Sequence, residues 1–187
     1  MALYIMANSK TIFRSGKIRI YAAWLAAIFL FASSRNAEIS WWGIVFALAG
    51  VLIRTWAGGH LQKNKSVISS GPYQYTRNPL YLGSFSIGLG FFLAFNNILV
   101  VLLIAVIFAY IYYPVILDEE RILEEKFGDE FKRYINQVPR MIPNLTLKEF
   151  SEEKTEFLWK NVFKNKEYNA WLGYLLALGL IYLIRNI

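Results

Sequence analysis

Residues 80–117, LYLGSFSIGLGFFLAFNNILVVLLIAVIFAYIYYPVIL, run for 38 positions without an Asp, Glu, Lys or Arg. As one helix the stretch would measure about 57 Å at ~1.5 Å per residue, nearly twice the ~30 Å hydrocarbon core of a bilayer. It is therefore expected to fold back on itself, and Asn96-Asn97 is the only polar pair near its middle. The reading is two helices, 80–95 and 98–117, joined by a tight turn. A buried hairpin in a soluble protein would need a polar face toward water, and neither half offers one.

Three further apolar stretches lie outside this hairpin. Residues 41–59 open on Trp41-Trp42, an aromatic pair suited to a membrane–water boundary. Residues 168–184, YNAWLGYLLALGLIYLI, form another span, and 18–33 follow Lys10, Arg14 and Lys17, with Arg19 at the start of the stretch. The alternative for the latter is a signal peptide with Phe31-Ala32-Ser33-Ser34 as its cleavage site. The expected fold is all-α: one membrane domain over 1–187, a polytopic bundle of about five transmembrane helices. A largely helical cytoplasmic segment, 118–167, precedes the last span.

Composition agrees, at 56% hydrophobic and 17% aromatic residues. The absence of Cys excludes disulfides, thiolate metal sites and cysteine nucleophiles, and a single His excludes a multi-His metal centre. The net charge of +7 is unevenly placed. Twelve of the thirteen acids fall between Asp118 and Glu167 beside ten basic residues, leaving ten Lys/Arg and one acid, Glu38, elsewhere. Those outlying bases flank the apolar runs, which speaks for a membrane surface and against nucleic acid.

The same bases give an orientation. Four lie before or at the start of the first span, only Arg35 lies in 33–40, and Lys63, Lys65 and Arg77 follow the second span. The N-terminus, loop 60–79 and segment 118–167 are expected on the cytoplasmic side, with the C-terminus opposite. Within 118–139, Leu123, Phe127, Phe131 and Tyr134 recur at three- and four-residue steps as one apolar stripe. Gly128 interrupts this helix and Pro139 and Pro143 end it. Residues 145–167 are expected to be a loop with a short helix.

Chemistry concentrates in the two cytoplasmic segments. Loop 60–79 reads HLQKNKSVISSGPYQYTRNP, with Pro79 suited to the first turn of the next helix. Free N–H groups at that helix start and the neighbouring Arg77 suit a carboxylate; the alternative is an Arg meeting lipid phosphate. Asp118-Glu119-Glu120 stand where the fourth span is expected to emerge. There they either hold an ammonium group or simply solvate a helix end. Acids at a helix C-terminus oppose its dipole, which favours the first role. Trp56 and His60 share a face of the second span, and Arg54 close by is expected to reach toward the interface. Arg140, within VPRMIP, is either a membrane-surface charge or a group that orients a substrate carboxylate.

SGPYQYTRNPLYLG (70–83), a charge-free hairpin, and EERILEEKFGDEFKRYINQVPRMIP (119–143) together resemble the isoprenylcysteine carboxyl methyltransferases and the related phospholipid methyltransferases. The shared pattern is Gly-Pro-Tyr, then Arg-His-Pro-x-Tyr, two spans, and Glu-Glu followed by Phe-Gly, an aromatic, Tyr and Val-Pro or Ile-Pro. It covers residues 54–143. The resemblance implies an integral membrane methyltransferase that uses S-adenosylmethionine. Tyr73, Arg77, Asn78, Pro79 and Tyr81 would line the cofactor pocket, and Glu119 and Glu120 would close it against the cofactor's ammonium group. His60, in a Gly-His pair with a later Lys63-Asn64, would contact cofactor or substrate. Asn78 stands where the pattern has His; an amide cannot take a proton near neutral pH, so no general base is expected there.

The implied partners are the bilayer and a lipid or lipidated substrate, with neither nucleic acid nor metal. Arg140 orienting a carboxylate favours O-methylation of an isoprenylcysteine-like or other apolar carboxylate, with Glu120 completing the site. N-methylation of a phospholipid head group is the alternative; it needs a base, for which Glu119, Glu120 and His60 are the candidates. Two other classes stay open: a small non-enzymatic membrane protein, and a nicotinamide-dependent membrane reductase, for which no glycine-rich fingerprint is present.

Overall fold

The computed structural model describes residues 39–62, 66–94, 98–146 and 155–186. The first expected span (18–33), the Asn96-Asn97 turn and Lys63-Asn64 lie outside the described residues. Within them the chain is all-helical: α1 (Trp41–His60), a short 3-10 turn (Gly71–Gln74), α2 (Pro79–Leu93), α3 (Ile98–Phe127), α4 (Asp129–Gln137), α5 (Trp159–Lys164) and α6 (Tyr168–Asn186). Among the described residues α1 is the helix long and apolar enough to cross a membrane by itself. The apolar helices Pro79–Leu93 and Tyr168–Leu183 are shorter.

α1 and α2 are antiparallel and touch backbone to backbone. A Cβ on Gly43 would meet Ala94 N at 2.3 Å, one on Gly90 would meet Ala47 N at 2.4 Å, and one on Gly83 would meet Gly50 O at 2.7 Å. Small residues spaced about one turn apart allow this approach, the usual way helices associate where water gives no hydrophobic drive. α6 closes the group. Tyr174 packs with Ile44, Ala47, Val51, Phe91 and Ala94, and the Trp171 indole N–H donates to Thr55 Oγ1 at 2.9 Å. Outward, Trp41, Trp42, Val45, Phe46 and Leu52 on α1 and Leu172, Leu175 and Leu176 on α6 are exposed.

The hairpin is present: Tyr81 and Phe85 of α2 meet Tyr112 and Phe108 of α3 in antiparallel order, at centroid separations of 5.5 and 5.0 Å. α3, however, does not stop at 117. It continues as one 30-residue helix to Phe127, with Pro114 inside it, so Glu119 and Glu120 sit mid-helix. The helix-dipole argument for an ammonium site at the acids therefore fails, because no helix end lies there. Gly128, at φ +53, makes the break that the sequence placed there, and α4 then folds back. Its apolar stripe packs as expected: Phe131, Tyr134 and Val138 join Leu123, Phe127 and Val67. The short helix expected within 145–167 is α5.

Candidate functional site

The polar residues gather at one end of the bundle, where α1 ends, α2 begins, and α3 passes on toward Phe127. Two stretches far apart in sequence are joined there. Arg77 N–H donates to Pro139 O at 2.9 Å and Asn144 N–H to Tyr75 O at 2.9 Å. The buried Thr76 hydroxyl reaches Arg140 O at 3.1 Å and Met141 O at 3.2 Å. The Asn78 amide donates to Arg140 O at 3.0 Å, so the residue standing in place of the pattern's His serves as a stitch between the two motifs. From α4, the Tyr134 hydroxyl donates to Tyr73 O at 2.7 Å.

These elements enclose a cavity of ≈ 280 Å³, near the small end of the ~300–1,000 Å³ common for ligand pockets. Tyr73, Arg77, Asn78, Pro79, Tyr81, Glu119 and Glu120, all singled out from sequence, line it. Tyr81 donates its hydroxyl to Glu119 Oε1 at 2.7 Å. Glu120 lies between two guanidiniums: Arg77 Nη1 is 3.3 Å from its Oε1, and Arg140 donates from Nε at 3.1 Å and Nη2 at 2.8 Å. Arg77 and Glu120 side chains are only 12% and 14% exposed, so this contact is poorly screened by solvent. Burial pulls the Arg77 guanidinium below its ordinary pKa while the Glu120 charge opposes that shift. Hydrogen bonding to Glu120 holds Arg140 above its own.

Two buried donors in the wall have no partner, the Tyr73 hydroxyl and Arg77 Nε. Burial, reinforced by the Glu167 and Glu119 charges, pushes the Tyr73 hydroxyl well above the ordinary tyrosine range. It stays a neutral donor at physiological pH. Unsatisfied buried donors are costly and suggest a ligand that supplies acceptors.

Two expected residues fall outside the cavity lining. His60 points the other way: its Nδ1 lies 2.8 Å from Thr155 O, and the ring packs edge-on to Trp56 and Phe157. Since a carbonyl only accepts, Nδ1 carries the proton. A Cβ on Gly71, which has φ +59, would meet the His60 ring at 2.5 Å. His60 thus supports the turn that carries Tyr73 and is not a lining group. Arg140 likewise grips Glu120 from behind and lies over the Tyr113 ring at 5.6 Å; it is not among the lining residues. Its guanidinium is committed to Glu120 and lies outside the cavity lining.

Sequence reasoning missed the opposite pole. Arg54 does not reach for the interface but turns into the cavity. There Nη2 is 2.8 Å from Glu167 Oε2 and Nη1 donates to Leu80 O at 3.3 Å and to Ser84 Oγ. Glu167 precedes α6, and the segment before it caps α1: Asn161 donates to Gly59 O and Asn165 to Gly58 O, both at 3.0 Å. Arg54, Ser84, Tyr112, Asn165 and Glu167 all line the cavity. An arginine within an apolar helix was the available signal; its acid, far along the chain, gave none.

Fold and site together define an apolar helical bundle with a charged, small-molecule-sized cavity at one end. Residues 41–130 match the family model for phospholipid methyltransferases. Similar proteins include a cobalt-zinc-cadmium resistance protein of Cupriavidus metallidurans, 30% identical over 148 residues, 75% of this chain and 68% of that one. A nickel-cobalt-cadmium resistance protein of Alcaligenes xylosoxydans is 29% identical over 148 residues, 77% of this chain and 67% of that one. A protein-S-isoprenylcysteine O-methyltransferase of Schizosaccharomyces pombe is 32% identical over 81 residues, 43% of this chain and 34% of that one. No solved structure matches. The chain belongs to the membrane methyltransferase family that joins the phospholipid and isoprenylcysteine carboxyl methyltransferases.

Proposed function

We propose that this chain is an S-adenosylmethionine-dependent methyltransferase, a five-span bundle with its cavity at the cytoplasmic face, that esterifies a carboxylate on a lipid-embedded acceptor. The observation that carries this reading is one cavity bordered by both motifs, the Tyr73–Arg77 turn on one side and Glu119-Glu120 on the other. The donor set fits the cofactor. The unpartnered Tyr73 hydroxyl and Arg77 Nε suit its carboxylate and other acceptors, and Glu119 and Glu120 suit its ammonium group. Asn78, Pro79 and Tyr81 shape the wall between them. Held there, S-adenosylmethionine would supply a sulfonium methyl to an acceptor carboxylate oxygen, the C–O bond forming as the C–S bond breaks and its electron pair leaves with the sulfur of S-adenosylhomocysteine.

The choice of acceptor rests on the lack of a ready base. Glu120 is held by Arg77 and Arg140, Glu119 accepts from Tyr81, and Glu167 faces Arg54. Burial keeps Tyr73 protonated. A carboxylate is already nucleophilic near pH 7, whereas an ammonium must first lose a proton. What remains for these residues is positioning and exclusion of water. N-methylation of a phospholipid head group is the second reading, favoured by the family match over 41–130. Two relatives are named for metal resistance. With no Cys and one His in the chain, and no cluster of three metal-ligating side chains among the described residues, the reading carries no metal site over from them.

Calorimetry with S-adenosylhomocysteine tests the class. Binding in the micromolar range is expected, weakened roughly tenfold or more by Glu120→Gln through loss of charged contacts. No binding by the wild-type protein would sink the reading. Transfer of a radiolabelled methyl then separates acceptors: base-labile label indicates an ester, and base-stable label indicates the amine.

A further inference from the structure

The cavity has two poles, and the family motifs account for one. Arg77, Asn78, Glu119 and Glu120 belong to the loop side. Arg54 lies six residues before the end of α1 and Ser84 five residues beyond the first residue of α2. At ~1.5 Å per residue they stand roughly 8–9 Å deeper in the bundle. This is the side from which a molecule anchored in lipid would approach. Tyr112, stacked on Phe108 with 4.1 Å between centroids, walls it with aromatic surface.

An arginine in this position needs a reason. Its side chain is 25% exposed and lines the cavity, whereas that of its partner Glu167 is only 4% exposed. Burial holds the Glu167 carboxyl above its ordinary pKa despite Arg54, so the pair is a poor source of stability. Two hydrogen bonds from Nη1, to Leu80 O and Ser84 Oγ, and the ion pair of Nη2 with Glu167 Oε2 hold the guanidinium in place and leave N–H donors over. A fixed, partly open guanidinium is the group that binds a carboxylate bidentately.

We infer that Arg54, aimed by Glu167 and Ser84, binds the carboxylate of the methyl acceptor at the deep pole of the cavity. The inference rests on the proposed methyl transfer to a carboxylate and gives that role to Arg54, which lines the cavity, in place of Arg140, which does not. Arg54 is a substrate-binding residue; Glu167 is a positioning residue that acts through it.

The test uses the full chain in detergent with two apolar carboxylates, N-acetyl-S-farnesylcysteine and myristate, each paired with its own carboxamide. Wild type is expected to bind at least one carboxylate roughly tenfold or more tightly than its amide. Arg54→Gln is expected to erase that preference, leaving amide binding and S-adenosylhomocysteine binding within about twofold. Arg54→Lys restores part of it as a point charge. Glu167→Gln lowers the preference without touching the amide.

A purely structural pair would lower carboxylate, amide and nucleotide binding together in Arg54→Gln, and that result overturns the inference. So does a preference that survives Arg54→Gln, or wild type that prefers neither carboxylate. Loss of nucleotide binding by the wild type itself would instead remove the methyltransferase reading.

Discussion

The cavity holds two arginine–glutamate groups, and they are built differently. At the loop side one carboxylate, Glu120, serves two arginines, and the backbone of both motifs is knitted around it. At the deep side one arginine faces one glutamate, joining α1 to the residue that precedes α6. The first group reinforces a seam that main-chain and side-chain hydrogen bonds also hold. The second joins helices already fixed by the glycine seam and by Trp171 and Tyr174. Charge in the same cavity therefore serves the fold at one pole and stays available to a ligand at the other.

The sharpest way to break this contrast is Glu120→Ala, which leaves Arg77 buried and unpaired. A loss of about 3–5 kcal/mol is expected from stranding a buried charge, read as a fall in thermal unfolding temperature in detergent, together with loss of nucleotide binding. Gly71→Ala comes next. Its positive φ and the His60 ring at 2.5 Å leave no room for a Cβ, so about 2 kcal/mol and a displaced Tyr73 turn are expected. Nucleotide affinity should fall while the deep pole keeps its carboxylate preference. Arg140→Ala should cost only about 1 kcal/mol, because its side chain is 32% exposed and Arg77 still neutralises Glu120. A cost equal to that of Glu120→Ala would mean that Arg77 contributes nothing.

The smallest stability effect is expected at the other pole, with Glu167→Gln. The folded protein holds this carboxyl above its ordinary pKa, so folding favours the protonated form. That contribution is fully present below the unfolded pKa and is lost as pH rises through the higher folded value. The unfolding temperature of wild type relative to Glu167→Gln should therefore decline as pH is raised from about 4 to 8, by an amount worth about 1 kcal/mol or less. A wild-type advantage that grew with pH would make the pair a stabilising bridge and erase the distinction between the poles.

The hairpin, the loop-side residues and the α4 stripe were legible because each leaves a local mark: a charge-free run, a spaced motif, a three-to-four periodicity. The continuity of α3 through Asp118 was not legible. Hydropathy marks where a helix leaves lipid, whereas backbone hydrogen bonding does not depend on that boundary, and even Pro114 is accommodated. His60 and Arg140 stand outside the cavity lining, held by other partners. Sequence gives the face of a helix; it does not give the carbonyl or carboxylate that captures the side chain, here Thr155 O and Glu120. The Arg54–Glu167 pairing depends on a tertiary return of α6 to α1 that no spacing announces.

Because α3 is one unbroken rod, the height of the cavity along that wall is set by helical pitch. Tyr112 and Glu119, both facing the interior, stand seven residues apart, close to two full turns, or about 10.5 Å. Any single insertion between them would swing the acids round by ~100° and out of phase with the aromatic rings. This interval works as a gauge, and its residue count is part of the binding site.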